Sequence, residues 1–178
     1  MVQKFRRVVT GHNAEGRSCF VIDAEASAVK EMPSMPGLAL TDLWVTNSAP
    51  ADNTGDVDTA DRDVVLEPPS GGTLFRIVEF PPDSAWRGDA DSKQAFEAIG
   101  AGHATDDSNA DPMMHKTATV DYLTILKGEI WAIVDEGEVC LKQGDVMVQR
   151  GTNHSWSVRT EEPCLVGVVL VSADPVAG

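Results

Sequence analysis

The stretch Asp121–His154, DYLTILKGEIWAIVDEGEVCLKQGDVMVQRGTNH, decides the fold. It divides into short runs rich in β-branched and bulky apolar residues: Asp121–Leu126, Glu129–Val134, Glu138–Lys142 and Val146–Gln149. Between them stand Lys127-Gly128, Glu136-Gly137, Gln143-Gly144-Asp145 and Gly151-Thr152-Asn153. Gly, Asn and Asp supply the positive φ that tight hairpins require. Two further runs follow, Trp156–Arg159 and Leu165–Ser172, separated by Thr160–Pro163. No gap holds a crossover helix, so a parallel α/β sheet is excluded and an antiparallel sandwich or barrel is predicted.

Working outward, the N-terminal half is sparser. Ser18–Ile22, Leu38–Thr46 and Thr73–Phe80 read as strands, the last stopped by Pro81-Pro82. Two long connections, Asn47–Gly72 and Asp83–Pro112, interrupt them. The segment SKQAFEAIG within the second fits one short helix, with Ser92 as N-cap and Gly100 beyond its end. Loops of this length in a compact domain serve as lids or binding loops or stay disordered, and these could cover a barrel mouth.

The chain has 178 residues, which suits a single domain over 1–178, with N-terminal strands and acidic loops in 1–112 and the strand-dense core in 113–174. Its 28 acids against 14 bases give a net charge of −14, which repels nucleic acid and anionic membranes. The acid is concentrated in the two long connections. Cys19, Cys140 and Cys164 form no C-x-x-C pair; an odd count without a disulfide framework predicts buried, inert thiols in a reducing compartment. The basic N-terminus lacks an apolar core of signal type, and no run is long enough to span a bilayer, so the expected location is the cytoplasm.

Three polar residues stand out near the strand-dense core: His115, Asp121 and His154. Two imidazoles and one carboxylate can hold a divalent metal on one face and leave other positions open; Fe, Mn, Ni and Zn suit such a set about equally. His115 and Asp121 have the same parity, so on one extended strand they share a face with Thr117 and Thr119. Trp131 and Trp156 are candidates for an apolar pocket wall, and Arg150 for binding a carboxylate. His103 and His12 read as loop and turn residues, and Tyr122 is expected to face outward if Asp121 faces in. No G-x-S-x-G elbow, Walker loop or dinucleotide fingerprint is present.

The region from His115 to Val158 resembles the two linked motifs of the cupin family. Asp121 is followed seven residues later by Gly128, as the glutamate of the first motif is by its glycine. GDVMVQRGTNH places Gly144, Gly151 and His154 as in the second motif. His115 matches the first histidine, but Thr117 occupies the second and Asp121 replaces the glutamate. Arg150 stands where proline is frequent, and Val158 where asparagine is common. The resemblance implies an all-β fold, an antiparallel double-stranded β-helix (jelly-roll) barrel with long loops and little helix. It further implies a metal-dependent enzyme acting on a small organic molecule by oxygenation, decarboxylation, isomerisation or lyase chemistry, and a homodimer. The rival reading is a non-catalytic small-molecule-binding module without metal, which the missing second histidine favours.

Overall fold

The computed structural model describes residues 2–88, 91–105, 111 and 113–175. Parts of the second acidic connection, including Asp89, Asp106, Asp107 and Pro112, lie outside the described residues. In chain order the elements are β1 (Arg6–His12), β2 (Ser18–Glu25), β3 (Val29–Glu31), β4 (Ala39–Thr46), β5 (Thr73–Phe80), α1 (Ser92–Glu97), β6 (Thr119–Lys127), β7 (Glu129–Val134), β8 (Gly137–Lys142), β9 (Val146–Arg150), β10 (His154–Ser157) and β11 (Cys164–Ser172). Every strand pair is antiparallel. The strands are therefore antiparallel, as the turn spacing predicted, and form the all-β barrel that the resemblance implied.

A six-stranded sheet in the order β3-β4-β5-β11-β6-β9 faces a three-stranded sheet in the order β10-β7-β8. Their inner faces meet in a core that includes Leu74, Ile125, Ile130, Val158, Cys164 and Val166. On β6 burial alternates: Thr119, Asp121, Leu123 and Ile125 are buried, and Tyr122 is 55% exposed, facing outward as expected. A second apolar cluster closes one end of the barrel. It joins Met32, Met35 and Leu38 to Trp86 and to Phe96 and Ile99 of the α1 region. The long connections thus supply part of the core at the barrel mouth.

Several details correct the sequence reading. The α1 N-cap is Asp91, whose side chain accepts from the Gln94 amide, rather than Ser92. The strand expected at Trp156–Arg159 begins earlier, at His154, because His154 pairs with Val134. β1 and β3, missed in the sequence, are short or polar. The N-terminal segment finds partners on its own chain: the Gln3 amide donates to Glu79, and Arg7 bonds the Leu43 carbonyl and Asp58. Of the three free thiols only Cys164 is buried; Cys19 and Cys140 are half-buried. Burial pushes the Cys164 thiol up to about 12, so it packs as an inert apolar group.

Gly128, the glycine of the first motif, has φ +79°. A Cβ there would lie 2.9 Å from the Pro163 carbonyl oxygen, so both backbone sign and space demand glycine. The β6–β7 turn it forms presses against the entry to β11.

Candidate functional site

The barrel encloses a cavity of about 130 Å³, bounded by the β5, β6 and β11 strands, by β10 and by the cluster at the mouth. His115, Thr117, Asp121, His154 and Trp156 all line it. His115 lies just before β6 and His154 opens β10, 39 positions later. Reciprocal main-chain hydrogen bonds join them: each amide donates to the other's carbonyl at 2.9 Å. Residues directly opposite on antiparallel chains project to the same side. Their ring centroids accordingly stand 4.2 Å apart.

Each imidazole is oriented by the backbone two residues before it. His115 Nδ1 lies 2.9 Å from the Met113 carbonyl, and His154 Nδ1 lies 2.9 Å from the Thr152 carbonyl. A carbonyl only accepts, so each Nδ1–H donates and each Nε2 carries a bare lone pair. Burial holds both rings neutral. It is the main cause that lowers His154 to about 3, with His115 beside it adding to the effect, and His115 is lowered by the same desolvation.

Asp121 supplies the carboxylate. It is buried, it accepts from the Thr119 hydroxyl, and its Oδ1 has no partner. Desolvation raises its pKa to about 6, partly offset by Thr119 and the nearby Arg76 guanidinium. Thr117 Oγ1 lies 2.7 Å from Thr119 Oγ1, so the inward hydroxyls of β6 and its approach form a ladder ending at the carboxylate.

The donor types, though not their present spacing, suit a divalent metal. Two preset imidazole nitrogens and an orphaned carboxylate oxygen are what such an ion would satisfy. Among the described residues, no three His, Cys, Asp or Glu groups stand together at coordinating distance. Asp121 would have to turn toward the histidine pair to complete the set.

Trp131 and Arg150 do not line the cavity. Trp131 lies under the Arg159 guanidinium, 4.2 Å from ring centre to Cζ, and Arg150 is exposed at the end of β9. His103 is a surface residue 3.3 Å from Glu67, and His12 is exposed.

Sequence reasoning missed Arg76 and Asp42. They are register partners on β5 and β4, and Arg76 Nε donates to Asp42 Oδ1 at 2.7 Å. Arg76 also bonds the carbonyls of Val65 and Leu66. The available signal was a lone aspartate inside the apolar strand ALTDLWVT and an arginine between the apolar residues of TLFRIVEF, which also carries Glu79 near its end. Phe96, whose ring lies 4.8 Å from that of His115, was also missed, because nothing local places a helix residue over a histidine far along the chain.

The raised Asp121 pKa gives a stability prediction for the metal-free protein. Between about 3.8 and about 6 the folded state binds more protons at this group than the unfolded state, so its contribution falls as pH rises and is fully lost above that window. Asp121→Asn removes the penalty. Urea unfolding in chelator is expected to show little difference near pH 4. Above pH 7 the variant should be more stable by on the order of 2–3 kcal/mol. His154 titrates alike in both proteins and cancels from the comparison. A variant equal to or weaker than wild type at pH 7.5 would show that the carboxylate is not desolvated.

No family model matches the chain. It is 31% identical over 163 residues to phomopsin biosynthesis cluster protein C' of Diaporthe leptostromiformis, covering 86% of this chain and 70% of the relative. It is 28% identical over 177 residues to the cupin-domain-containing oxidoreductase virC of Hypocrea virens, covering 96% and 77%. The oxidoreductase srdD of Neurospora crassa, likewise cupin-domain-containing, matches at 26% over 168 residues, covering 92% and 71%. Among solved structures, the Cnp3 cupin domain of Schizosaccharomyces pombe aligns over 97% of this chain and 89% of that one, at 13% identity and TM-score 0.45. Relatives that run nearly the length of the chain, the antiparallel barrel and the glycine framework agree: the chain belongs to the cupin superfamily.

Proposed function

We propose that this cupin is a metal-dependent enzyme acting on a small organic molecule, of the oxidoreductase kind named for its relatives. The observation that carries the reading is the histidine pair, fixed by reciprocal backbone bonds with both Nε2 lone pairs bare, in a cavity whose lining also holds the unpartnered Asp121 oxygen. His115, His154 and Asp121 would hold the ion. When bound, it would supply Lewis acidity or an oxygen-binding centre. The chain's own groups orient and exclude: the carbonyls of Met113 and Thr152 fix the imidazole tautomers, the Thr117–Thr119 ladder orients the Asp121 carboxyl, and the apolar mouth cluster keeps water from the site. Elemental analysis of the purified protein, paired with oxidoreductase assays on the loaded form, tests the reading. Absence of any transition metal after supplemented expression would defeat it.

The second reading, a metal-free binding module, draws on Thr117 at the vacant histidine position and on the distance of Asp121 from the pair. Free thiols throughout, and the absence among the described residues of a helix long and apolar enough to cross a membrane, accord with a reducing compartment such as the cytoplasm.

We also propose a homodimer. Phe75, Val169, Tyr122 and Val148 are successive register partners across β5, β11, β6 and β9. They form an uncharged, solvent-facing row on a chain of net charge −14. A two-fold pairing of copies would cover the row and leave the charges outward. Light scattering should give about twice 19.0 kDa, and Tyr122→Lys should give the monomer. A wild-type monomer at micromolar concentration would overturn this.

A further inference from the structure

The cavity has a chemical polarity that narrows its ligand. Phe96, His115, His154, Trp156 and Phe80 form a continuous chain of rings along its wall, with successive centroids 4.8, 4.2, 5.7 and 6.0 Å apart. Val78 of β5 and Val166, Val168 and Leu170 of β11 add aliphatic surface to the lining. A volume of about 130 Å³ is close to that of an engineered apolar cavity, roughly 150 Å³, that takes up benzene.

The free polar groups on the lining are acceptors: two histidine Nε2 atoms, side by side, and Asp121 Oδ1. The cation on the lining, Arg76, is closed off by Asp42 and by two main-chain carbonyls. The acid Asp83 is likewise held, by Arg87, by the Ser157 hydroxyl and by the Val158 amide. In the metal-free cavity an anionic ligand would lose its hydration, gain no cation and meet lone pairs. An ammonium would meet the same acceptors as a hydroxyl, but it brings a full charge out of water and the lining has one unpartnered carboxyl to offset that desolvation.

Resting on the same site as the proposed function, we infer that the cavity receives a neutral molecule built on a single ring. Its apolar body lies against the ring chain, and a hydroxyl or other lone donor points at the Nε2 atoms of the His115–His154 pair.

The test compares three probes with one ring and different polar ends, benzyl alcohol, benzoate and benzylamine, at pH 7.5 in chelator, so that no metal occupies the histidine nitrogens. Binding to the purified full chain is measured by calorimetry and by the indole N–H signals of the four tryptophans. Trp86 and Trp156 line the cavity, whereas Trp44 and Trp131 do not and serve as internal controls. The alcohol should bind, shifting the first pair and not the second, with both ions at least about tenfold weaker. An ion binding as tightly as the alcohol, no binding of any probe, or shifts confined to Trp44 and Trp131 would overturn the inference. Metal content is measured on the same sample before chelation, and the titration is repeated without chelator. Alcohol binding that persists without metal supports the inference even where the metal reading fails. Metal present with no probe bound defeats the inference and leaves the metal reading standing.

Discussion

Replacing His154 by alanine is expected to lower bound transition metal from about one ion per chain to background. The barrel should remain folded, because the hydrogen bonds that pair β10 with β7, and His154 with His115, are main-chain bonds that alanine keeps. The substitution removes one of two neutral imidazoles, and a lone imidazole with one carboxylate cannot retain a divalent ion against a chelating buffer. Acid should release the metal from the wild type, since the carboxylate must be ionised to coordinate, and Asp121 is already half-protonated near pH 6. Thr117→His tests the same site in the opposite direction. Thr117 is buried on the cavity wall two residues from His115, so an imidazole there supplies the third nitrogen and should tighten binding. Elemental analysis and circular dichroism of the three proteins decide the matter. Equal metal in wild type and His154→Ala, or none in either, would remove the site.

The barrel was legible because its information is local. Each turn glycine and each alternating run specifies its own strand, and the β7–β8 hairpin follows from its short turn, whereas the pairing of β6 with β9 skips two strands and has no such local signal. The inward parity of Asp121 and the outward parity of Tyr122 were likewise readable from a period of two. The juxtaposition of His115 with His154 was reachable only through the family resemblance, because a backbone bridge between residues 39 apart leaves no periodic trace. The closing of the cavity by Phe96 and Trp86 had no local signal either: a six-residue helix and a Pro-flanked loop acquire their meaning only when packed on the barrel. Trp131 shows the reverse error. An aromatic residue on a barrel strand invites a pocket assignment, but its register with Cys140 on β8 turns it under Arg159 instead.

Asp42→Ala is expected to destabilise the fold by about 3–5 kcal/mol. Asp42 is fully buried, and the Arg76 guanidinium bonded to it is 1% exposed. Removing the carboxylate leaves a cation beside an apolar cavity with only the Val65 and Leu66 carbonyls as partners; Arg62, 4.0 Å from Asp42 Oδ2, then adds a second uncompensated positive charge nearby. Since whole-domain stability is roughly 5–15 kcal/mol, the single variant sits close to unfolding, and the pair is better judged by a cycle. Replacing both partners, Asp42→Leu with Arg76→Met, deletes the two charges together and exchanges them for side chains that suit the surrounding core. The double variant should recover most of the loss, because a buried ion pair offsets its own desolvation only narrowly and the penalty of the single change is the orphaned charge. Urea unfolding of the wild type, both single variants and the double variant measures the coupling. Strict additivity would mean that Arg76 is solvated from the cavity rather than held by Asp42. In that case the cavity would offer an accessible cation, and anionic ligands would bind where neutral ones are now expected.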